Sequence, residues 1–241
     1  MSAWLDTKIA ERHEWAPGLA TLKLEGSLSP FEAGQWANIS LEIDGERVRR
    51  AYSLASAPGA PPELFVTLVA GGRFSPRLFE LRPGDPLQIE KQPQGFFTLR
   101  WLPPAKELWL LATGTGLAPF VSMLRSGEVL ARFERVVVVH GARTLGELAY
   151  RDELARLPVG YVAAVTREPG AEGVSHGRIT TLLSSGALEE AAGLALDPER
   201  SHLMLCGNPQ MIEEVSELLA PRGFRKHRQR KPGHLTAESF W

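Results

Sequence analysis

The stretch Leu108-Trp109-Leu110-Leu111-Ala112-Thr113-Gly114-Thr115-Gly116-Leu117-Ala118-Pro119 decides the fold. Its opening run of apolar residues, with no polar alternation, reads as a strand buried on both faces. The glycines that follow permit a tight turn and a close backbone approach, and a helix is expected from about Leu117 to Arg132. A strand passing through a glycine turn into a helix is the context in which a backbone and a pyrophosphate can meet. The pattern is Gly-Thr-Gly-X-X-Pro, however, with Pro119 where the common dinucleotide fingerprint has its third glycine.

Downstream the same rhythm repeats. Val136-Val137-Val138-Val139, Val159 to Val165 and Leu203-Met204-Leu205 are further strand candidates, with helical segments near Glu147 to Arg156 and Gln210 to Leu219. Strands alternating with helices predict right-handed βαβ units on a parallel sheet. Upstream the texture differs. Leu22-Lys23-Leu24, Asn38 to Ile43, Phe65 to Val69 and Leu87 to Glu90 alternate with period two between Gly and Pro residues, which reads as antiparallel β, most simply a small barrel or sandwich. Ser75 to Leu81, stopped by Pro83-Gly84, reads as a short helix. The change falls near Trp101 to Lys106, so two domains are expected: an antiparallel β-barrel over 1–102 and an α/β parallel-sheet domain over 103–241.

With 241 residues, 44% of them hydrophobic and 23% charged, the composition is that of a globular protein with a substantial core. No apolar run approaches the ~20 residues of a membrane span, and the first residues lack a basic region followed by an apolar one. A cytoplasmic monomer with no membrane association is expected. The single cysteine, Cys206, rules out an internal disulfide and a cluster held by four cysteines of this chain, and no metal site is anticipated. Electron transfer here would need a flavin or a partner. A net charge of −1 argues against nucleic-acid binding.

Three more segments carry chemistry. Arg50-Ala51-Tyr52-Ser53 offers a cation, an aromatic face and a hydroxyl, and in a strand Tyr52 faces opposite to Ala51 and Ser53. On these residues alone a surface Arg and a half-buried strand Tyr are the favoured reading. Gly71-Gly72-Arg73-Phe74-Ser75-Pro76 is a glycine turn running into a helix start, which suits a phosphate cradle or a plain helix cap by Ser75. Cys206-Gly207-Asn208-Pro209-Gln210-Met211 joins a strand to a helix at the carboxyl end, where open α/β sheets bind ligands.

These motifs in this order, closed by Phe240-Trp241, resemble the ferredoxin-NADP reductase superfamily, most closely the bacterial ferredoxin (flavodoxin)-NADP reductases, over essentially the whole chain. The resemblance implies an FAD-binding barrel followed by an NADP(H)-binding domain, with the active site between them. It places Arg50 on the flavin pyrophosphate with Ala51 beside it, Tyr52 against the isoalloxazine, and Ser53 near its reactive nitrogen. Arg73, Phe74 and Ser75 are implied as a second pyrophosphate contact, and Phe65, Thr115, Phe240 and Trp241 as further FAD contacts. For NADP it implies Gly114, Thr166, Gly207, Asn208 and Gln210, and it makes Tyr52, Ser53, Cys206 and Glu238 the residues that shape the catalytic centre.

A 2′-phosphate is met by Arg where an NAD enzyme often has a carboxylate. Arg143 after the second strand of the parallel domain and Arg167 after the third favour NADP, with Arg178 a third candidate by resemblance; Glu134 is taken as the only nearby acid. Ferredoxin or flavodoxin is the implied partner. The basic stretch Arg222, Arg225, Lys226, His227, Arg228, Arg230 and Lys231, with Arg47, Arg49 and Arg50, would suit such acidic proteins. The alternatives are an NADH-dependent flavin or oxygenase-component reductase and a non-catalytic FAD-binding redox sensor.

Overall fold

Two six-stranded sheets organise the chain, one antiparallel and one parallel. The computed structural model describes residues 3–169 and 171–239. It divides into two units: Met1–Leu99 with Ala118–Ser126, and Arg100–Leu117 with Gly127–Trp241.

The first unit contains β1 (Trp4–Ala16), β2 (Leu19–Leu24), β3 (Trp36–Ile43), β4 (Glu46–Ser53), β5 (Glu63–Thr67), α1 (Ser75–Glu80) and β6 (Pro86–Glu90), with sheet order β4-β3-β6-β1-β2-β5. Strand β1 is long enough to serve two neighbours. Its first half pairs with β6, from Trp4↔Glu90 to Lys8↔Pro86, and its second half with β2. Register breaks between Ile9 and Glu11 and between Glu14 and Ala16 bend it, as bulges do, so the sheet can curl. A bridge between Leu54 and Leu64 brings the end of β4 to β5, the opposite edge of the sheet. The enclosed core is aliphatic: Ile9, Leu22, Leu24, Ile39, Leu64, Val66, Leu78 and Ile89.

The second unit contains β7 (Glu107–Thr113), α3 (Glu128–Arg132), β8 (Arg135–Ala142), α4 (Arg151–Leu154), β9 (Gly160–Val165), β10 (Val174–His176), α5 (Ile179–Ser185), α6 (Ala187–Ala192), β11 (Ser201–Gly207), α7 (Pro209–Leu219) and β12 (Leu235–Ser239). The sheet order is β10-β9-β8-β7-β11-β12, parallel throughout. Strand β7 comes first in sequence yet lies in the interior of the sheet, with β8 on one side and β11 on the other. That reversal of winding is the topological switch point of an open α/β sheet. One face of the sheet places Trp109, Leu111, Val137, Val139, Leu203 and Leu205 in a single cluster with Leu183, Leu188, Val215 and Leu219 from α5, α6 and α7.

The structure corrects two sequence expectations and adds five elements. The helix expected over 117–132 is two helices, α2 (Ala118–Arg125) and α3, separated at Gly127, whose φ of +77° no regular helix accepts. The segment Glu147 to Arg156 holds only the four-residue α4. Helices α5 and α6 and strands β10 and β12 were not anticipated, nor was β1, whose solvent-facing residues interrupt any apolar run.

Helix α2 belongs to the first unit, buried from Ala118 to Leu124. Ser122 Oγ donates to the Ser56 carbonyl at 2.6 Å, and Phe120 and Phe97 pack with ring centroids 5.8 Å apart. Arg125 Nη1 donates to the Ala55 carbonyl at 3.0 Å and pairs with Glu63 Oε1 at 2.9 Å. Glu63 is 6% exposed, so deleting Arg125 would take its guanidinium at 2.9 Å away from a buried carboxylate. Such losses cost about 3–5 kcal/mol. Arg125→Ala is therefore expected to lower the stability of the first unit by about 3 kcal/mol in urea unfolding. Arg77→Ala, which breaks an exposed helical pair with Glu80, should leave it nearly unchanged. Equal effects would show that the Glu63 pair is not what holds α2.

Candidate functional site

In the first unit the motif Arg50-Ala51-Tyr52-Ser53 closes β4, with Ala37 opposite Tyr52 and Trp36 opposite Ser53 on β3. Arg50 is exposed and its Nη1 donates to the Arg49 carbonyl at 2.8 Å. Ala51 is exposed. Tyr52 is half-buried, its ring centroid 6.1 Å from that of Phe74 and tilted 36°. Burial pushes its phenol up to about 12, with Arg50 opposing, so it stays a neutral donor. Ser53 is 6% exposed and its hydroxyl has no hydrogen-bond partner among the described residues. A buried polar group left alone costs about 1–3 kcal/mol, so this hydroxyl fits a bound partner. Trp109 Nε1 and His140 Nε2, inside the second unit, share that state.

The neighbouring turn is built differently from the sequence reading. Phe74, not Ser75, is the N-cap of α1, and it makes no side-chain cap bond. Ser75 Oγ instead accepts from Val69 N at 2.9 Å and so closes the glycine turn on itself. Phe74 is buried beneath Tyr52 in the barrel core. Arg73 remains exposed, paired with Glu46 Oε2 at 2.7 Å. Phe65 is buried on β5, on the strand face opposite to Leu64 and Val66.

In the second unit the carboxyl ends of β7 and β11 meet at the switch point. A Cβ built on Gly116 would lie 2.4 Å from the Cys206 carbonyl oxygen and 2.7 Å from Gly207 N. One built on Gly207, where φ is +124°, would lie 2.4 Å from Thr113 Oγ1. Only glycine at both positions lets the turn through Gly114 and Thr115 lie directly on the end of β11. Thr113 Oγ1 accepts from Asn208 N at 2.9 Å and ties the two strand ends together. Asn208 Oδ1 in turn caps α7 by accepting from Gln210 N at 2.8 Å, while Gln210 Nε2 donates to Glu214 Oε1. The backbone around Gly207 is thus fixed from both sides.

Next to this junction, Arg143 follows β8, and Thr166 and Arg167 follow β9. Arg178 precedes α5 as its N-cap residue. All four are exposed, and none of the three guanidinium groups has an acidic side-chain partner among the described residues. The expectation that Glu134 is the only nearby acid is wrong. Glu147 and Glu168 lie among the same loops, but both use a carboxylate oxygen on backbone N–H groups, those of Arg143 and Leu145.

Register places His140, Ala112, Cys206 and Glu238 in one row across β8, β7, β11 and β12, so all share a face of the sheet. Cys206 is fully buried, and burial first and Glu238 second push its thiol well up, so it is an inert thiol at neutral pH. Burial raises the Glu238 carboxyl to about 7. His140 is held neutral, lowered to about 4 by burial, with Nδ1 3.2 Å from the Tyr161 hydroxyl. Phe240 and Trp241 lie outside the described residues.

Known proteins give this arrangement its place. Residues 12–99 match the oxidoreductase FAD-binding domain and residues 110–217 the oxidoreductase NAD-binding domain, which makes the chain a member of the two-domain flavin and nicotinamide oxidoreductases. The flavodoxin/ferredoxin-NADP reductases of Shigella flexneri and Escherichia coli are 42% and 41% identical to it, each alignment covering 100% of both proteins. A solved ferredoxin NADP+ reductase from Neisseria gonorrhoeae, with bound FAD and NADP, superposes with a TM-score of 0.93 at 32% identity, covering 99% of each chain. The chain belongs to the flavodoxin/ferredoxin-NADP reductase family.

The raised Glu238 carboxyl has a measurable consequence for the flavin-free protein. Its folded pKa near 7 lies above the ordinary 4.5, so ionisation opposes folding, and stability from this group falls as pH rises from about 4.5 to about 7. Glu238→Gln is expected to stabilise the protein at pH 8 and to leave it unchanged at pH 4, read from thermal midpoints across that range. A carboxyl resonance that titrates near 4.5 would contradict the assignment.

Proposed function

We propose that the protein is a cytoplasmic, monomeric FAD-dependent ferredoxin/flavodoxin-NADP reductase, with residues 1–102 as the FAD-binding domain and 103–241 as the NADP-binding domain. Bound FAD supplies the redox chemistry, exchanging two electrons with NADP(H) and single electrons with ferredoxin or flavodoxin. The glycine junction of Gly116 with Cys206 and Gly207 carries this proposal. It packs the turn after β7 directly onto the end of β11 at the switch point, the place where open α/β sheets bind their ligands.

The chain's own groups then divide the work. Ser53 supplies a buried hydroxyl that needs a partner, and Tyr52, kept neutral, presents a ring and a donor beside it. Arg50 and Arg73 supply positive charge for a pyrophosphate; Arg73 would exchange its exposed pairing with Glu46 for that anion. Arg143, Arg167 and Arg178, free of acidic partners, suit the dianionic 2′-phosphate of NADP. Glu238, titrating near neutrality, can hold or release a proton during turnover, while Cys206 acts as a small apolar wall. Phe65, Phe74, Ser75, Thr115, Thr166, Asn208 and Gln210 shape these surfaces. The same reading assigns Phe240 and Trp241 to FAD.

The test is anaerobic mixing of the FAD-loaded protein with NADPH or NADH, following flavin absorbance, and then with oxidised ferredoxin or flavodoxin. Rapid bleaching by NADPH, much slower bleaching by NADH, and colour returning on addition of either acceptor are the expected results. Equal rates would sink the NADP assignment, and no bleaching would leave a binding module. Arg143→Ala should raise the KM for NADPH by about tenfold to a hundredfold, the loss of one charge-assisted phosphate contact, with KM for NADH nearly unchanged.

A further inference from the structure

Two carboxylates sit among the arginines that the proposed function assigns to the 2′-phosphate, where simple electrostatics would exclude them. Their hydrogen bonds explain why they are there. Glu147 Oε2 accepts from Arg143 N at 2.9 Å, and Glu168 Oε2 accepts from Leu145 N at 2.7 Å. The Arg143 carbonyl accepts from Arg167 N at 2.8 Å and from Thr166 N at 3.3 Å. The Glu168 carbonyl accepts from His176 Nδ1 at 2.6 Å, and Gly177 N donates to the Val165 carbonyl at 2.8 Å. The loops after β8, β9 and β10, each carrying one of the three arginines, are thereby laced into one backbone frame. The two glutamates hold the loop after β8 at both ends.

An exposed loop held only by solvent would sample many backbone conformations, and each residue that must be fixed when a ligand binds costs conformational entropy. A loop fixed in advance avoids that cost, and its arginines meet a phosphate already in place. We propose that Glu147 and Glu168 are positioning residues that set the preference for NADP over NAD by fixing the backbone of the arginine loops. Each acts through the acceptor oxygen it offers to a backbone N–H and not through its charge. The inference rests on the proposed NADP site.

The substitutions that separate hydrogen bonding from charge are Glu→Gln, which keeps an acceptor oxygen, Glu→Ala, which removes it, and Glu→Met, which removes it at nearly constant size. Each is made at positions 147 and 168 in the FAD-loaded protein, and KM and kcat are measured for NADPH and NADH, with 2′,5′-ADP as a competing probe of the phosphate site. Alanine and methionine are expected to raise KM for NADPH and the inhibition constant of 2′,5′-ADP by about tenfold, the scale of one hydrogen bond lost. Glutamine should stay at or below the wild-type values. NADH kinetics and kcat should move little in any variant, which also shows that the fold is intact. Glutamine behaving like alanine, or NADH and NADPH losing equally, would overturn the inference. A wild type that does not distinguish NADPH from NADH would instead remove the NADP reading beneath it.

Discussion

Beyond the carboxyl ends of β7 and β11, two backbone segments approach more closely than any side chain allows. The turn through Gly116 lies on the carbonyl of Cys206 and the amide of Gly207, and Gly207 lies against Thr113. Everything proposed for the second unit depends on this contact. It stands where the winding of the parallel sheet reverses, and it forms part of the floor of the crevice that such a reversal opens. Thr113 and Asn208 then fix the floor from either side, one by accepting the amide after Gly207 and the other by capping α7. Cys206 and Glu238 extend the same row on neighbouring strands, and burial makes the first unreactive and the second a neutral-range acid.

The first unit supplies a different kind of surface. Its bulged, curled sheet buries an aliphatic core and leaves the end of β4 to present Tyr52 and Ser53, one half-buried on Phe74 and one buried with its hydroxyl unanswered. A cofactor with a broad flat ring and polar edges satisfies both. The proposed chemistry accordingly asks little reactivity of the protein. Among the described residues the site presents an unreactive thiol and one carboxyl that titrates near neutrality.

Much of this was legible in the sequence, for physical reasons that differ by element. Strands β7, β8, β9 and β11 are buried on both faces, so they announce themselves as unbroken apolar runs. Strand β12 is an edge strand whose residues alternate in burial after Leu235, and β1 mixes charged, polar and apolar residues with no sustained pattern, so neither forms such a run. A helix spanning α2 and α3 was expected because the apolar pattern carries across Gly127; only the positive φ there reveals the break. The motif residues were found because glycine, arginine and aromatic residues carry their chemistry in the side chain or in its absence. Glu147 and Glu168 were missed because their partners are backbone amides of the loop after β8, which only the folded chain brings to them. The place of Ser75 was misread for a related reason: a helix start suggests a cap, whereas its hydroxyl closes the turn before the helix.

The proposed function seats the nicotinamide at the glycine junction between β7 and β11 and the 2′-phosphate on the arginine loops. A crystal structure of the FAD-loaded protein with NADP+ tests it most directly. The predicted result places the nicotinamide against the backbone of Gly207 beside Cys206, and the 2′-phosphate within hydrogen-bond distance of Arg143, Arg167 and Arg178. A dinucleotide seated away from the carboxyl ends of β7 and β11, or with its 2′-phosphate in solvent, would contradict it.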